Sequence, residues 1–393
     1  MSLKRRQFLI LGGLALGSGS SFLIQRRFNR TPVNQTLSDS VAIAANTQPL
    51  TDAIADTSSS HPAPAGMYAP QRGDVRLVVI SDLNSRYGST SYRASVEKAV
   101  QMIPDWRPDL VICGGDMIAG QRASLSRADI QAMWSAFDQQ VFTSIRRAGL
   151  PFVHTLGNHD ASSSFSQGRY VYAQEREEAQ AFWKQPQRDL GITFVDPSGY
   201  PFYYSFEQNG IFYLVWDASS ANVSEEQISW ADRSLASDIA QNARLRIALG
   251  HLPFYAIAQG RDRAGEILNQ ADELRSLLER HRVHTYISGH HHAYFPGHVG
   301  KLQLLNCGAL GNGPRRWLGS ANTPIHTLTV VDIDLNALSS MYTTYNMDTL
   351  QVVDENRLPQ QIMGPSGRVL RRDISWDALP PTEQHQQHTP SPS

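Results

Sequence analysis

The chain has 393 residues, 41% of them hydrophobic, and a formal net charge of −1. This length accommodates one large domain or two ordinary ones, and the near-neutral charge argues against a nucleic-acid surface as the main function, because phosphate-backbone binders carry a basic excess. The two cysteines, Cys113 and Cys307, are too few for a disulfide framework or a zinc–thiolate site, so a metal ion would have to be bound by His, Asp and Asn.

Residues 1–30 have the features of an export signal or anchor rather than of a folded segment. A basic stretch containing Arg5 and Arg6 precedes a Phe-Leu pair and an apolar run that is diluted by glycines. An arginine pair in this setting is typical of twin-arginine signals. It predicts export across the bacterial inner membrane, to the periplasm or the exterior, by the twin-arginine machinery. The alternative is a membrane anchor, because Arg26 and Arg27 follow the apolar run.

Composition divides the rest of the chain into three parts. Residues 31–72 are rich in Ser, Thr, Pro, Ala and Gln without a sustained period, which predicts a disordered linker. Residues 73–346 alternate apolar runs with helical patterns, which predicts the folded domain. Residues 347–393 are predicted to be a C-terminal extension, largely a low-complexity tail, since Gln, Pro, Ser and His dominate from about Pro359.

Strand-like and helix-like patterns alternate within the predicted domain. Apolar runs of strand length lie at residues 75–81, 110–113, 151–156, 203–206, 211–215, 245–249, 283–287, 302–305, 327–333 and 341–345. Helical spacing of apolar residues lies at 92–103, 130–145, 175–183, 228–239 and 267–278. This mixed order predicts an α/β fold in which two packed β-sheets have helices on their outer faces.

Five of the strand-like runs end in side chains that can bind a metal ion. These clusters are Ser81-Asp82-Leu83-Asn84, Gly114-Gly115-Asp116, Gly157-Asn158-His159-Asp160, Gly250-His251 and Gly289-His290-His291-His292. Individually, an Asp after a strand can be a helix N-cap and an Asn after Gly can be a turn residue. Five repetitions of the same design are hard to explain by packing, and we interpret them as the rim of one metal site.

In their order along the chain, the clusters resemble the motifs of the calcineurin-like metallophosphoesterase superfamily. The family pattern is Asp-x-His, Gly-Asp-x-x, Gly-Asn-His-Asp/Glu, a later His and Gly-His-x-His, and the resemblance covers roughly residues 74–334. It implies a four-layer sandwich of two mixed β-sheets flanked by helices. It also implies a metal-dependent phosphoester hydrolase, a phosphatase or phosphodiesterase, with a dinuclear metal centre and a bridging hydroxide.

The resemblance assigns metal binding to the side chains at the strand ends. The implied ligands are Asp82, Asn84, Asp116, Asn158, His251, His290 and His292. By the same resemblance, Asp116 would bridge two divalent ions. The first ion would also be bound by Asp82 and His292, and the second by Asn158, His251 and His290. His291 should point elsewhere.

Two further residues of the third cluster receive catalytic roles from the resemblance. His159 would stabilise the charge that develops on the transferred phosphoryl group or protonate the leaving oxygen. Asp160 would hold the His159 ring in its orientation. Arginines on the loops, such as Arg86, Arg169 and Arg261, are candidates for gripping a phosphate, but the sequence does not select among them or identify the ester.

Asn84 departs from the family pattern, which has His at this position. An amide oxygen is a harder ligand than imidazole, so among Mn²⁺, Fe²⁺/Fe³⁺, Zn²⁺ and Mg²⁺ it favours Mn²⁺ or Mg²⁺ over Zn²⁺, and we expect Mn²⁺. The alternative is that Asn84 does not reach the metal and the first ion is weak or absent. The competing function is then a catalytically impaired calcineurin-like domain that binds phosphate or a protein partner.

Overall fold

The computed structural model of the protein describes residues 61–384, so the predicted export signal and most of the predicted linker lie outside the described residues. The strands are β1 (Val75–Ile80), β2 (Leu110–Cys113), β3 (Phe152–His154), β4 (Phe165–Ser166), β5 (Arg169–Tyr170), β6 (Thr193–Gly199), β7 (Tyr203–Gln208), β8 (Ile211–Val215), β9 (Leu245–Leu249), β10 (Thr285–Ser288), β11 (Phe295–Val299), β12 (Leu302–Asn306), β13 (Thr327–Asp334), β14 (Ser339–Asn346), β15 (Gln361–Gly364) and β16 (Gly367–Arg371). The α-helices are α1 (Ala94–Met102), α2 (Arg127–Phe137), α3 (Thr143–Arg147), α4 (Asn158–Ala161), α5 (Ala173–Trp183), α6 (Glu225–Ala236), α7 (Asp238–Asn242), α8 (Ala271–Arg280) and α9 (Pro381–Gln384). Between residues 61 and 384, no helix is long and apolar enough to cross a bilayer.

Two mixed sheets form the centre of the fold. The first has the order β14-β13-β1-β2-β3, and the second has the order β15-β16-β11-β12-β10-β9-β8-β7-β6. Strands β1, β2 and β3 run parallel to one another, as do β8, β9, β10 and β12 in the second sheet. The predicted fold class, two mixed β-sheets flanked by helices, is confirmed.

Alternate residues of β1 belong to two different hydrophobic cores. Leu77 and Val79 pack with the strands of the second sheet, whereas Val78 and Ile80 pack with helices α1, α2 and α5. Side chains of a strand alternate between its two faces, so β1 is covered by a sheet on one side and by helices on the other. Burial on both faces stabilises this strand by roughly 1.5–3 kcal/mol for each large aliphatic side chain.

The helix predicted over residues 267–278 begins later, at Ala271, as α8. Residues 267–270 instead continue a loop, because the backbone N–H of Leu268 donates to the carbonyl of Pro253 and that of Asn269 donates to Ala221. These contacts hold residues 267–270 against the segments that follow β8 and β9. The helical spacing of apolar residues in the sequence did not reveal that these backbone N–H groups form hydrogen bonds outside a helix.

A strand pair lies in the segment for which composition predicts a low-complexity tail. Strands β15 and β16 form an antiparallel pair at the edge of the second sheet, next to β11. Ile362 and Val369 are buried, and the Arg371 guanidinium donates to the carbonyl of Leu358. Apolar residues alternate with polar ones over only a few positions here, so the surrounding Gln and Pro residues concealed the strand pattern.

Candidate metal centre

The topology brings all five sequence clusters to one edge of the sandwich. Three clusters follow the parallel strands β1, β2 and β3, and two follow the parallel strands β9 and β10. Parallel strands present their carboxyl ends at the same edge of a sheet, which is where ligands bind in open α/β folds. Asp82, Asp116 and His251 offer ligand atoms that all lie within 4.8 Å of one another, and all three residues are buried.

Two of the side chains predicted to bind the second ion, His251 and His290, converge on one atom, the amide oxygen of Asn158. Nε2 of His251 lies 3.0 Å from Oδ1 of Asn158, and Nδ1 of His290 lies 2.8 Å from the same oxygen. Oδ2 of Asp116 is 3.4 Å from Nε2 of His251. The structure therefore brings together the four side chains that the resemblance assigns to the second ion.

The contacts among the side chains predicted to bind the first ion are less complete. Nε2 of His292 lies 3.1 Å from Oδ1 of Asp82, whose carboxylate also accepts hydrogen bonds from the Ser81 hydroxyl and the backbone N–H of His290. Asn84 is 5% exposed, and its amide has no hydrogen-bond partner among residues 61–384. The backbone N–H of Asn84 donates to the carbonyl of Asp116, so Asn84 lies beside the centre, and no hydrogen bond among residues 61–384 fixes its amide.

The hydrogen bonds of the histidine rings orient their other nitrogens toward this centre. Nδ1 of His251 lies 2.7 Å from the carbonyl of Gly114, and Nδ1 of His292 lies 2.9 Å from that of Gly313. An imidazole that donates to a carbonyl at one nitrogen presents a lone pair at the other. That lone pair faces an amide or carboxylate oxygen in each case. Lone pairs facing one another repel unless a proton or a metal ion lies between them, so the chemistry of the donor set fits bound cations.

The pKa values of Asp116 and His251 also indicate that the centre favours bound positive charge. Burial by itself would raise the pKa of Asp116, but the charges of His251 and His159 outweigh it and hold that pKa well below its usual range. Burial would lower the pKa of His251, whereas the charge of Asp116 raises it to about 9. Without a metal, a proton on His251 thus balances the carboxylate, and a divalent ion would take its place.

Strained backbone occurs at four of the predicted ligands. Asp82, Asp116, His290 and His292 have φ angles of 53°, 55°, 65° and 54°. Left-handed backbone is uncommon for residues other than glycine and costs on the order of 1–3 kcal/mol at each position. Such strain persists only where the surrounding structure imposes it, and it is concentrated at functional sites.

Gly157 is required because the Asp116 carboxylate lies directly against it. A Cβ atom at this position would be 2.1 Å from Oδ1 of Asp116 and 2.4 Å from its backbone nitrogen. No side chain fits this space without moving the carboxylate. The glycine that precedes Asn158 therefore sets how closely the third cluster approaches the second.

His159 lies at the mouth of the site with one nitrogen directed inward. Its side chain is 16% exposed, Nε2 is 3.9 Å from Oδ2 of Asp116, and the backbone N–H donates to Oδ1 of the same carboxylate. Nδ1 lies 3.0 Å from the carbonyl of Gly120, which fixes the ring. The inward nitrogen is thus free to exchange a proton with a bound molecule.

Asp160 does not hold the His159 ring, contrary to the role predicted for it. Its carboxylate instead accepts hydrogen bonds from the backbone N–H groups of Gly157 and Ile118. Burial and the nearby charge of Asp116 raise the pKa of Asp160 to about 7. Asp160 therefore ties the loop after β3 to the loop after β2, and the ring is positioned by a backbone carbonyl that sequence motifs do not encode.

His291 points away from the centre, as the sequence analysis expected. Its Nε2 lies 3.0 Å from the carbonyl of Glu266, and its Nδ1 accepts a hydrogen bond from the backbone N–H of Ile257. Both ring nitrogens are therefore used by the loop after β9.

Sequence reasoning missed Gln121, which orients the Asn158 amide. Nδ2 of Asn158 donates to Oε1 of Gln121 at 2.7 Å, so that the amide oxygen faces His251 and His290. Gln121 itself has a left-handed backbone, with a φ angle of 64°. A glutamine outside every motif carries no sequence signal for this role, and only the contact reveals it.

Glu266 is a second residue that sequence reasoning missed, and it lies beside the predicted ligand His290. Its Oε2 lies 3.0 Å from Nε2 of His290, on the side of the ring opposite Asn158. A carboxylate in this position fixes the tautomer of a metal-binding histidine and increases its basicity. Glu266 also forms ion pairs with Arg261 and Arg263, which hold the loop after β9 in place.

Comparison with known proteins agrees with this arrangement. The sequence profile of the calcineurin-like phosphoesterases matches residues 75–294, which is more than half of the chain. A protein named probable purple acid phosphatase 20 from Arabidopsis thaliana is 23% identical over 229 residues, covering 57% of this chain and 47% of the relative. The structure of purple acid phosphatase PPD1 from yellow lupin (Lupinus luteus) seeds superposes with a TM-score of 0.51 at 16% identity, covering 73% of this chain and 54% of that one. This likeness shows the fold, and the chain spans about half the length of both relatives.

Proposed function

The chain belongs to the calcineurin-like phosphoesterase family, and on this premise we propose that it is a metal-dependent phosphoester hydrolase, a phosphatase or phosphodiesterase. The observation that carries the proposal is the convergence of His251 and His290 on the amide oxygen of Asn158, with the Asp116 carboxylate against His251. Buried side chains with this donor set have little structural value by themselves, because they desolvate charges and confront lone pairs. A reaction that needs bound cations explains them.

The residues divide between two divalent ions in this proposal. Asp116 would contact both ions, Asp82 and His292 would complete the first position, and Asn158, His251 and His290 the second. Mn²⁺ is favoured because carboxylate and amide oxygens dominate the first position once Asn84 replaces an imidazole. When bound, the two ions would neutralise the phosphate charge and supply a bridging hydroxide as the nucleophile.

His159 would donate a proton to the leaving group. The Gly120 carbonyl holds Nδ1, so Nε2 faces the reacting group from a partly exposed position. A protonated Nε2 can donate to the leaving oxygen as the bond to phosphorus breaks, which contributes typically 10²- to 10⁴-fold to the rate. Gln121 and Glu266 would not take part in the proton transfer. They would hold Asn158 and His290 in the orientation that binds a cation.

The test is the hydrolysis of p-nitrophenyl phosphate and of bis(p-nitrophenyl) phosphate by metal-stripped protein during titration with Mn²⁺. The proposal expects turnover that rises with bound Mn²⁺, and the ratio of the two rates separates a monoesterase from a diesterase. Tight Mn²⁺ binding without turnover of either ester would instead support the impaired domain that binds phosphate or a partner. If the protein shows no turnover and also binds no Mn²⁺, the metal centre itself is refuted.

We further propose that the chain is exported by the twin-arginine machinery. Arg5 and Arg6 followed by Phe-Leu support this proposal, as does an apolar run diluted by glycines. The proposal places the hydrolase in the periplasm or outside the cell, with membrane anchoring by the same segment as the alternative.

A further inference from the structure

Exposed hydrophobic side chains occur on two segments near His159, one that contacts its ring and one that follows its helix in the chain. Tyr87, Phe165, Tyr170 and Val171 have exposed fractions of 54%, 63%, 41% and 54%, and we refer to these four residues as the aromatic rim. They lie on the loop after β1 and on the β4–β5 hairpin that follows α4. A cluster of exposed apolar groups next to a polar site marks a binding surface, whereas isolated ones need no explanation.

The Tyr87 ring lies against the His159 ring. The two ring centroids are 5.1 Å apart at an interplanar angle of 37°. Gly88 donates its N–H to the carbonyl of Ala119, and the next carbonyl along, that of Gly120, contacts Nδ1 of His159. One short segment after β2 therefore contacts both the His159 ring and the backbone next to Tyr87.

The β4–β5 hairpin is anchored to α4. Phe165 and Tyr170 pack edge to face across the hairpin, with ring centroids 5.3 Å apart. The Arg176 guanidinium lies 4.3 Å from the centroid of Tyr170, donates to the carbonyl of Ala161 and pairs with the buried Asp217. This buried arginine ties the exposed rings to the helix that carries His159.

We propose that the aromatic rim binds an aromatic group on the leaving side of the substrate, so that the chain acts on phosphoesters that carry an aromatic ring. This inference rests on the proposed function, because the place of His159 at the leaving oxygen puts the rim on that side. The Tyr87 hydroxyl has no hydrogen-bond partner within residues 61–384, so this residue offers chiefly its ring face. Ring faces pair with other aromatic rings, and such pairs contribute beyond the area that they bury.

The test compares two non-hydrolysable probes, phenylphosphonate and methylphosphonate, on the Mn²⁺-loaded full chain by titration calorimetry. Both probes carry the same anionic group and differ only in the ring. We expect phenylphosphonate to bind about 3- to 10-fold more tightly, the range for one aromatic pair. Tyr87→Ala should remove this ring preference, and Tyr87→Phe should retain it. Trp376→Ala, which removes an exposed ring outside the rim, should also retain it.

Equal affinity of the wild type for the two probes would overturn the inference, as would a Tyr87→Ala variant with an unchanged ratio. If p-nitrophenyl phosphate is still hydrolysed in that case, the hydrolase stands and only the role of the rim is lost. If the Mn²⁺-loaded chain neither binds a phosphonate nor turns over p-nitrophenyl phosphate, the proposed function falls together with the inference.

Discussion

The amide oxygen of Asn158 lies 2.8 Å from Nδ1 of His290, although the two residues are 132 positions apart and follow strands of different sheets. The first sheet supplies Asp82, Asp116 and Asn158, and the second supplies the histidines. Because the unfolded chain cannot bring them together, ions that bind here select the packed sandwich. Metal binding and folding are therefore linked.

Replacing Asp116 by Ala should remove both bound ions. This carboxylate is buried between the two ligand groups, and its loss also leaves His251 without its charged partner. We expect the Mn²⁺ content measured by elemental analysis to fall from two ions per chain to near zero. Asp377→Ala, which removes an exposed carboxylate, is the matched control. A variant that keeps two ions would rule out the bridging role.

Replacing Gln121 by Ala should weaken metal binding although Gln121 is not itself a ligand. Loss of the 2.7 Å hydrogen bond frees the Asn158 amide to rotate its oxygen away from the histidines. Loss of such a supporting contact typically lowers metal affinity about 10- to 100-fold. Gln121→Glu keeps an acceptor and should retain most of the affinity, and Gln139→Ala, which changes an exposed glutamine, should have no effect. An unchanged Mn²⁺ affinity of Gln121→Ala in calorimetry would contradict this role.

Replacing His154 by Phe should reduce the loss of stability in acid. His154 is fully buried against Trp183, and neither ring nitrogen has a hydrogen-bond partner among residues 61–384. Burial lowers the pKa of His154 from 6.5 to about 3. Below pH 6.5 the unfolded chain takes up a proton at this residue and the folded chain does not. The free energy of unfolding of the wild type therefore falls relative to the variant as the pH drops from 6.5 toward 3, by up to about 1.4 kcal/mol per pH unit. Urea unfolding of metal-free protein at pH 7.5, 6 and 5 measures this difference, and parallel curves would be inconsistent with it.

Replacing both Arg5 and Arg6 by Lys should block export. The twin-arginine machinery reads the arginine pair itself, whereas a membrane anchor needs only basic charge, which lysine preserves. Cell fractionation of wild type and variant measures the outcome. Unchanged export of the double-lysine chain would refute the twin-arginine signal.

The sequence was sufficient to predict the fold class and the convergence of the five clusters. Parallel strand ends meet at one edge whatever the loops do, so Asp82, Asp116 and His290 could be placed together from order alone. Asn209 and Gly210, with φ angles of 56° and 77°, form the turn between β7 and β8, because few residues other than Asn and Gly adopt these angles.

The contacts that complete the site could not be predicted in this way. Gln121 reaches Asn158 across 37 positions and Glu266 reaches His290 across 24, and neither residue type is unusual in a loop. The role predicted for Asp160 was wrong because two backbone N–H groups compete for its carboxylate. Such outcomes depend on loop geometry, which the order of motifs does not determine.

The most direct test of the account compares the wild type with His159→Ala at equal bound Mn²⁺, measuring the hydrolysis of p-nitrophenyl phosphate. His159 contacts the centre from its mouth and is not among the predicted ligands, so the variant should keep its two ions. The account predicts a rate about 10²- to 10⁴-fold lower in the variant with unchanged Mn²⁺ content. A variant as active as the wild type would contradict the catalytic role of His159, and a wild type that binds two ions without any turnover would contradict the hydrolase.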